Sequence, residues 1–342
     1  MSSPYLGTGK LPGSLLGELL GHYPITDSSV IVGPGVGMDA AVVDAGAELL
    51  VVKSDPITFA KERAPHYLVN VNANDLACLG ATPRWLLVTA LLPEGRTTEA
   101  YVRELFAELN DACTLHGIAL IGGHTEITAG LDRTILVGQL LGTVIPSKLL
   151  KPGGAKPGDR ILLTRPVAIE GTALLANDLR ERLSHSIPSD VLDLAASFLD
   201  SPGISVLSDA KVLLSTGVVT ALHDPTEGGL STGVRELAMA SGCGAVIARS
   251  NVPLMAETRL FAETLGLDPL GMLASGSLLA CVPAAEMTAV EQLCVQHEIP
   301  YSWIGKITPR ERGYILREGS SEIELPAFDT DEISRALAEN AS

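Results

Sequence analysis

Residues 148–159 read Lys-Leu-Leu-Lys-Pro-Gly-Gly-Ala-Lys-Pro-Gly-Asp, placing Pro152, Gly153, Gly154, Pro157 and Gly158 in one short stretch. Proline removes a backbone donor and fixes φ, and glycine favours turns, so neither a helix nor a strand runs through such a segment. The chain is therefore cut into two lengths, each near the ordinary size of a domain. The reading is an N-terminal domain over 1–147, a linker over 148–159, a C-terminal domain over 160–325 and a tail over 326–342.

Both halves alternate between strand and helix patterns. Residues 12–22 carry Leu15, Leu16, Leu19 and Leu20 on one helical face. Ala40–Val43 and Leu49–Val52 are apolar runs around a turn, predicting a β-hairpin. Ala64–Leu79 reads as a helix stopped by Gly80, and Trp85–Leu92 as a buried strand. A long helix opens at Thr97 or Thr98 and closes near Gly117, flanked by strands at Ile118–Ile121 and Arg133–Ile145. The second half predicts helices near 170–180, 188–200, 228–240, 254–264 and 284–297. Its strands fall near 160–164, 243–248, 277–282 and 301–307. The fold class is α/β (α+β), with a mixed sheet in the first half.

A net charge of −16 argues against nucleic acid, whose phosphates require a basic surface. An acidic protein that receives a polyphosphate instead needs cations to relieve the repulsion. No cationic leader precedes an apolar run, because Glu18 and His22 interrupt the Leu-rich start. The most apolar stretch, Ile135–Pro146, is far below the roughly 20 residues of a membrane span. A soluble, cytoplasmic protein without membrane partners is expected. Five cysteines, Cys78, Cys113, Cys243, Cys281 and Cys294, form no CxxC pair and each lies in an apolar stretch. They read as small core residues.

Five clusters carry candidate chemistry. Gly33-Pro-Gly35-Val-Gly37-Met-Asp39 lets backbone approach a ligand, with Asp39 at the mouth of a strand. Lys53-Ser-Asp55 ends the next strand. Asn70-Val-Asn72-Ala-Asn74-Asp75 puts polar side chains into an otherwise apolar helix, with Asn72 and Asp75 on one face. Burying Asp75 alone costs several kcal/mol, so a cation or a donor network must answer it. Gly122-Gly123-His124-Thr125-Glu126 follows a strand, where paired glycines can present N–H groups to an anion. His223-Asp224-Pro-Thr-Glu227-Gly228-Gly229 opens a helix, whose N-terminus attracts phosphate while Asp224 can take a metal. Neither a Gly-rich loop ending in Lys-Ser/Thr nor a GxGxxG between strand and helix is present.

In order, these segments resemble the superfamily of aminoimidazole ribonucleotide (AIR) synthetase, thiamine-monophosphate kinase, selenophosphate synthetase and the hydrogenase maturation factor that dehydrates a carbamoyl group. The likeness runs from about Gly7 to Ile307. It is nearest the hydrogenase-maturation branch, through Asp224–Leu230, Ser241–Gly244 and Leu273–Gly276. The resemblance implies a two-domain AIR synthase-like fold whose N-terminal sheet pairs with that of a second subunit in a barrel, hence a homodimer. It implies ATP held with Mg²⁺ by Asp39, Asp55, Asp75 and Asp224. Gly35, Gly37, Asn72, Gly122, Gly123, Thr125, Gly228 and Gly229 would line the nucleotide, and Lys10 would belong to a segment covering the phosphates. His124 and Glu126 become the candidate catalytic pair.

The departures bear on the substrate. Hydrogenase-maturation members carry the carbamoyl group on a terminal cysteine, whereas this sequence ends Glu-Asn-Ala-Ser342. Selenophosphate synthetases use a Cys or selenocysteine near the N-terminus, and no Cys precedes Cys78. His124 stands where thiamine-monophosphate kinases have an aspartate, substituting a titratable imidazole for an acid. Three functions follow: an enzyme that phosphorylates an amide or carbonyl oxygen of a small-molecule or protein-bound substrate, a small-molecule kinase, or a non-catalytic nucleotide-binding partner in maturation.

Overall fold

The computed structural model describes residues 13–22, 27–35, 38, 40–58, 62–328 and 330–340. It separates into two compact units, an N-terminal one over 25–34 and 38–149 and a C-terminal one over 150–342 that also takes in 1–24 and 35–37. Helix α1 (Gly13–Gly21) precedes the first sheet.

The N-terminal unit holds β1 (Val30–Val32), β2 (Ala41–Asp44), β3 (Leu49–Ile57), α2 (Ala64–Cys78), β4 (Thr82–Pro93), α3 (Glu99–Leu115), β5 (Ala119–Thr128) and β6 (Ile135–Val144). The strands form one sheet in the order β1-β2-β3-β6-β4-β5. Only β4 and β5 are parallel, joined through α3, so the sheet is mixed as the alternation predicted. Thr98 caps α3 by accepting from the Tyr101 N–H at 3.2 Å. On β6, every second residue from Leu136 to Val144 is buried. That face receives α2, and glycines make room for it. A Cβ on Gly138 would lie 2.9 Å from Asn72 Nδ2, and one on Gly142 only 2.7 Å from Leu76 Cδ2. The opposite face presents half-buried Leu50 and Val52 of β3, Leu87 and Leu91 of β4, and Ile135 and Leu141 of β6.

The C-terminal unit is larger. Its elements are β7 (Arg160–Thr164), α4 (Ile169–Asp178), α5 (Arg180–Leu183), α6 (Ser189–Ala196), α7 (Leu207–Ser215), β8 (Ala221–His223), α8 (Gly229–Ala240) and β9 (Gly244–Ala248). After these come α9 (Ala256–Leu265), β10 (Leu278–Val282), α10 (Met287–Gln296), β11 (Tyr301–Thr308), β12 (Tyr314–Glu318), β13 (Ser321–Glu324) and α11 (Glu332–Asn340). The sheet order is β13-β12-β9-β11-β7-β10-β8. Leu230, Val234 and Leu237 of α8 fill the core against Ile161, Leu279 and Ile304 of the sheet. Gly153 and Gly154 pack their backbones tightly on Ala240 and Thr220, where a Cβ would stand 2.4 and 2.1 Å from carbonyl oxygens. All five cysteines are buried, and none forms a disulfide. Among the described residues no helix is long and apolar enough to cross a membrane.

Candidate nucleotide and cation site

In the N-terminal unit, the apolar run of β3 ends in Lys53-Ser54-Asp55, and register decides where these side chains go. Lys53 is opposite Leu140 and Asp55 opposite Gly138. Residues paired across a ladder point to the same side of a sheet. Because the missing side chain of Gly138 faces Asn72, Lys53 and Asp55 lie on the face covered by α2. There the Lys53 ammonium stands 2.8 Å from Asp75 Oδ2 and 3.5 Å from Asp55 Oδ2. The Asp75 side chain is 7% exposed and that of Asp55 34%. The question raised by a buried Asp75 is thus answered by a lysine two strand positions from Asp55. Asn72 donates through Nδ2 to the Leu68 carbonyl at 2.8 Å, which fixes its amide. Its Oδ1 is buried with no hydrogen-bond partner among the described residues. Asn70 donates to the His66 carbonyl and pairs through Oδ1 with His116 Nε2 at 2.9 Å. Burial holds the His116 imidazole below its usual pKa.

The Asn72 oxygen is the kind of orphan acceptor a cation satisfies. The carboxylates, however, are already engaged: Mg²⁺ requires oxygen ligands near 2.1 Å in octahedral array, and an ammonium occupies the space between Asp55 and Asp75. Among the described residues no group of three or more His, Cys, Asp or Glu side chains is disposed to hold a metal. A resident Mg²⁺ between Asp55 and Asp75 does not fit this arrangement.

The Gly122–Glu126 segment differs from its sequence reading as a loop after a strand, because it lies inside β5. Gly122 and Gly123 have φ of +150° and +140°, and a Cβ on Gly123 would fall 1.9 Å from the Val88 carbonyl oxygen. Glycine is what lets β5 pair with β4 at this point. His124 pairs with Thr89 and Glu126 with Leu91, whereas Gly123 and Thr125 pair with the buried Val88 and Ala90. Register therefore sets His124 and Glu126 on the sheet face away from α2, apart from Asp55 and Asp75. His124 Nε2 is 3.1 Å from Glu126 Oε2, and Thr128 donates to Glu126 Oε1 at 2.8 Å. The Thr128 and His124 hydrogen bonds hold the Glu126 carboxyl below its ordinary range.

In the C-terminal unit, Asp224 follows β8 and is buried, as is His223, which pairs with Glu236 at 3.1 Å. Gly228 and Gly229, at φ +74° and +65°, form the turn into α8. A Cβ on Gly229 would meet the Leu270 carbonyl oxygen at 2.5 Å. The helix N-terminus holds an internal anion: Gly228 N–H donates to Asp331 Oδ2 at 2.8 Å, and Ile333 N–H to Asp331 Oδ1 at 2.8 Å. Burial lifts the Asp331 carboxyl to about 7, against those backbone donors. Glu170, in the first turn of α4, is buried beside Ser275, Glu227 and Asp331, and burial lifts its carboxyl to about 8.

The two units also match known families in order. The AIR synthase related protein, N-terminal domain, matches residues 37–144, and the corresponding C-terminal domain matches residues 156–317. This chain belongs to the AIR synthase related family. Carbamoyl dehydratase HypE of Rhodobacter capsulatus is 28% identical over 294 residues, spanning 83% of this chain and 81% of that protein. Among solved structures, a HypE–HypF complex superposes at TM-score 0.75 with 19% identity, covering 92% of this chain and 100% of that one. Hydrogenase maturation protein HypE in complex with ATP superposes at TM-score 0.70 with 22% identity, over 92% of this chain and 91% of that one. Both likenesses concern the fold, which is the two-domain α/β arrangement expected from the motifs.

Of the expected site residues, Asp55 and Asp75 come together through Lys53 and Asn72 packs against Gly138, the register partner of Asp55, while His124 and Glu126 share the other sheet face. Gly35 is half-buried just after β1. Lys10, Gly37 and Asp39 lie outside the described residues. Sequence reasoning named Lys53 in a cluster but gave it no role, and passed over Glu170 and Asp331. Lys53 directly after the apolar run Leu49–Val52 and Glu170 as the single charge within Val167–Ala176 were signals, whereas Asp331 had none.

Proposed function

We propose that this chain is an ATP-using enzyme that phosphorylates an amide or carbonyl oxygen of its substrate and then expels phosphate. The observation that carries the reading is the Lys53–Asp55–Asp75 cluster with Asn72, held in a helix–sheet seam of an AIR synthase related domain. Placing such charges where apolar residues would pack costs stability, and a role in binding explains why they are kept. In the reaction, the bond from the γ-phosphorus to its bridging oxygen breaks and a bond to the substrate oxygen forms. An activated primary amide then loses phosphate and its N–H protons to give a nitrile, or a nucleophile displaces the phosphate. Carbamoyl dehydration, which names the Rhodobacter relative, is of the first kind, and a role in hydrogenase maturation accords with it. Catalysis of this type is chiefly positioning and charge stabilisation. Magnesium, in this reading, arrives on the nucleotide phosphates and not in a site preformed on Asp55 and Asp75. His124 and Glu126 are proposed as a proton-handling pair, and Asp224 as a contact to the phosphates or their cation.

The half-buried apolar sheet face supports a homodimer in which two such faces meet. Calorimetric titration with ATP, with and without Mg²⁺, tests the nucleotide reading, and absence of binding in both would sink it. Mass spectrometry after incubation with ATP and candidate substrates separates the chemistries. ADP with a dehydrated or ligated product supports this reading, whereas a stably phosphorylated product identifies a small-molecule kinase.

A further inference from the structure

We infer that Lys53 is a built-in cation that takes the place of a divalent ion between Asp55 and Asp75. The proposal shares these carboxylates with the ATP reading and rests on it only for why a cation is wanted there. Its geometry is independent of nucleotide. The ammonium touches Asp75 Oδ2 at 2.8 Å and reaches Asp55 Oδ2 at 3.5 Å, so one positive charge is shared by two carboxylates. The Lys53 side chain is only 16% exposed and emerges from the middle of β3, so its reach is set by the strand and not by a loose surface arm. Asp75 is fixed on the other side by α2, whose close seat on Gly138 and Gly142 leaves little room to retreat.

A divalent ion entering this space would have to displace the ammonium or sit within a few ångströms of it, and like charges at that range repel strongly in a partly buried site. The seat therefore discriminates against free Mg²⁺ while holding Asp55 and Asp75 aligned. Removing the lysine charge, and leaving its volume, frees the same two carboxylates as oxygen donors for a hard cation.

The test is a Mn²⁺ titration of the whole chain without nucleotide, read from the loss of the free-ion paramagnetic resonance signal, together with thermal melts. The wild type is expected to show no Mn²⁺ site that Asp75→Asn removes. Lys53→Met should acquire a site at least tenfold tighter than any in the wild type, and adding Asp75→Asn to it should abolish that site. Its melting temperature should fall without metal and recover with Mn²⁺, a recovery that a merely structural lysine would not produce. Lys53→Arg, which keeps the charge, should behave as the wild type. A wild-type Mn²⁺ site lost in Asp75→Asn would overturn the proposal, and this comparison needs no Lys53 variant to fold. Equal Mn²⁺ affinity in wild type and folded Lys53→Met would overturn it too. Failure to bind ATP would leave these outcomes standing and would count against the enzymatic reading alone.

Discussion

Glu170 offers a sharp test of how the C-terminal unit is built. Its carboxyl is buried in the first turn of α4 and lifted from 4.5 to about 8, chiefly by burial, with Glu227 and Asp331 adding repulsion. The folded chain therefore binds this proton more tightly than the unfolded chain does. The linked stability is fully present below about pH 4.5 and is lost as pH rises through about 8. At about 1.4 kcal/mol per pH unit, a shift of this size amounts to roughly 5 kcal/mol at most. Asp331, lifted to about 7, adds a loss of the same sign over a lower window. Glu170→Gln keeps the shape and removes the ionisation. Urea denaturation at pH 5, 7 and 8.5 should show the wild type weakening by a few kcal/mol across the series. The variant should lose clearly less, with the difference opening from pH 5 onward and levelling off above about pH 8. Parallel curves for the two proteins would refute a neutral, buried Glu170.

Gly123→Ala should destabilise the N-terminal unit by about 2 kcal/mol or more in urea unfolding, because its Cβ would strike the Val88 carbonyl. Gly46→Ala, at φ +108° with nothing within 4 Å, should lose only the backbone term of about 1 kcal/mol. The five thiols should resist an aromatic disulfide reagent in the native chain and all react in urea, since each is buried and burial pushes Cys113 and Cys294 up to about 11. One fast native thiol would contradict this. Light scattering at micromolar concentration should give twice the chain mass, and a monomer that still turns over ATP would remove the paired-sheet reading.

Much of this architecture was legible because it depends on local pattern. The alternation in Ile135–Val144, the apolar helix from Ala64 with its stop at Gly80, and the Pro/Gly run before β7 all state their roles within a few residues. The Gly122-Gly123 pair misled because glycines after a short apolar run resemble a loop, while here they allow an edge strand to continue. Three-residue β8 is too short for any periodicity to declare itself, and α11 lay in a stretch read as a tail. The charge pairing of the candidate site was the least accessible part. Lys53 meets Asp75 only because β3 and β6 adopt one register and α2 sits on two glycines, and a slip of one residue would turn Lys53 to the other face.

The contact between Gly228 and Asp331 joins positions 103 residues apart. At a synthesis rate of roughly 5–20 residues per second, the turn into α8 waits some 5–20 seconds for its carboxylate. Leu325, Ile333 and Ala336, all buried in the finished unit, arrive in the same late interval. The first sheet is different, since its last strand ends at Val144 and every partner in it has been made by then. A nascent chain stalled near the Pro/Gly segment thus carries a complete first half. One stalled just before Asp331 carries an open second core, and is the species on which holding chaperones and proteases would act.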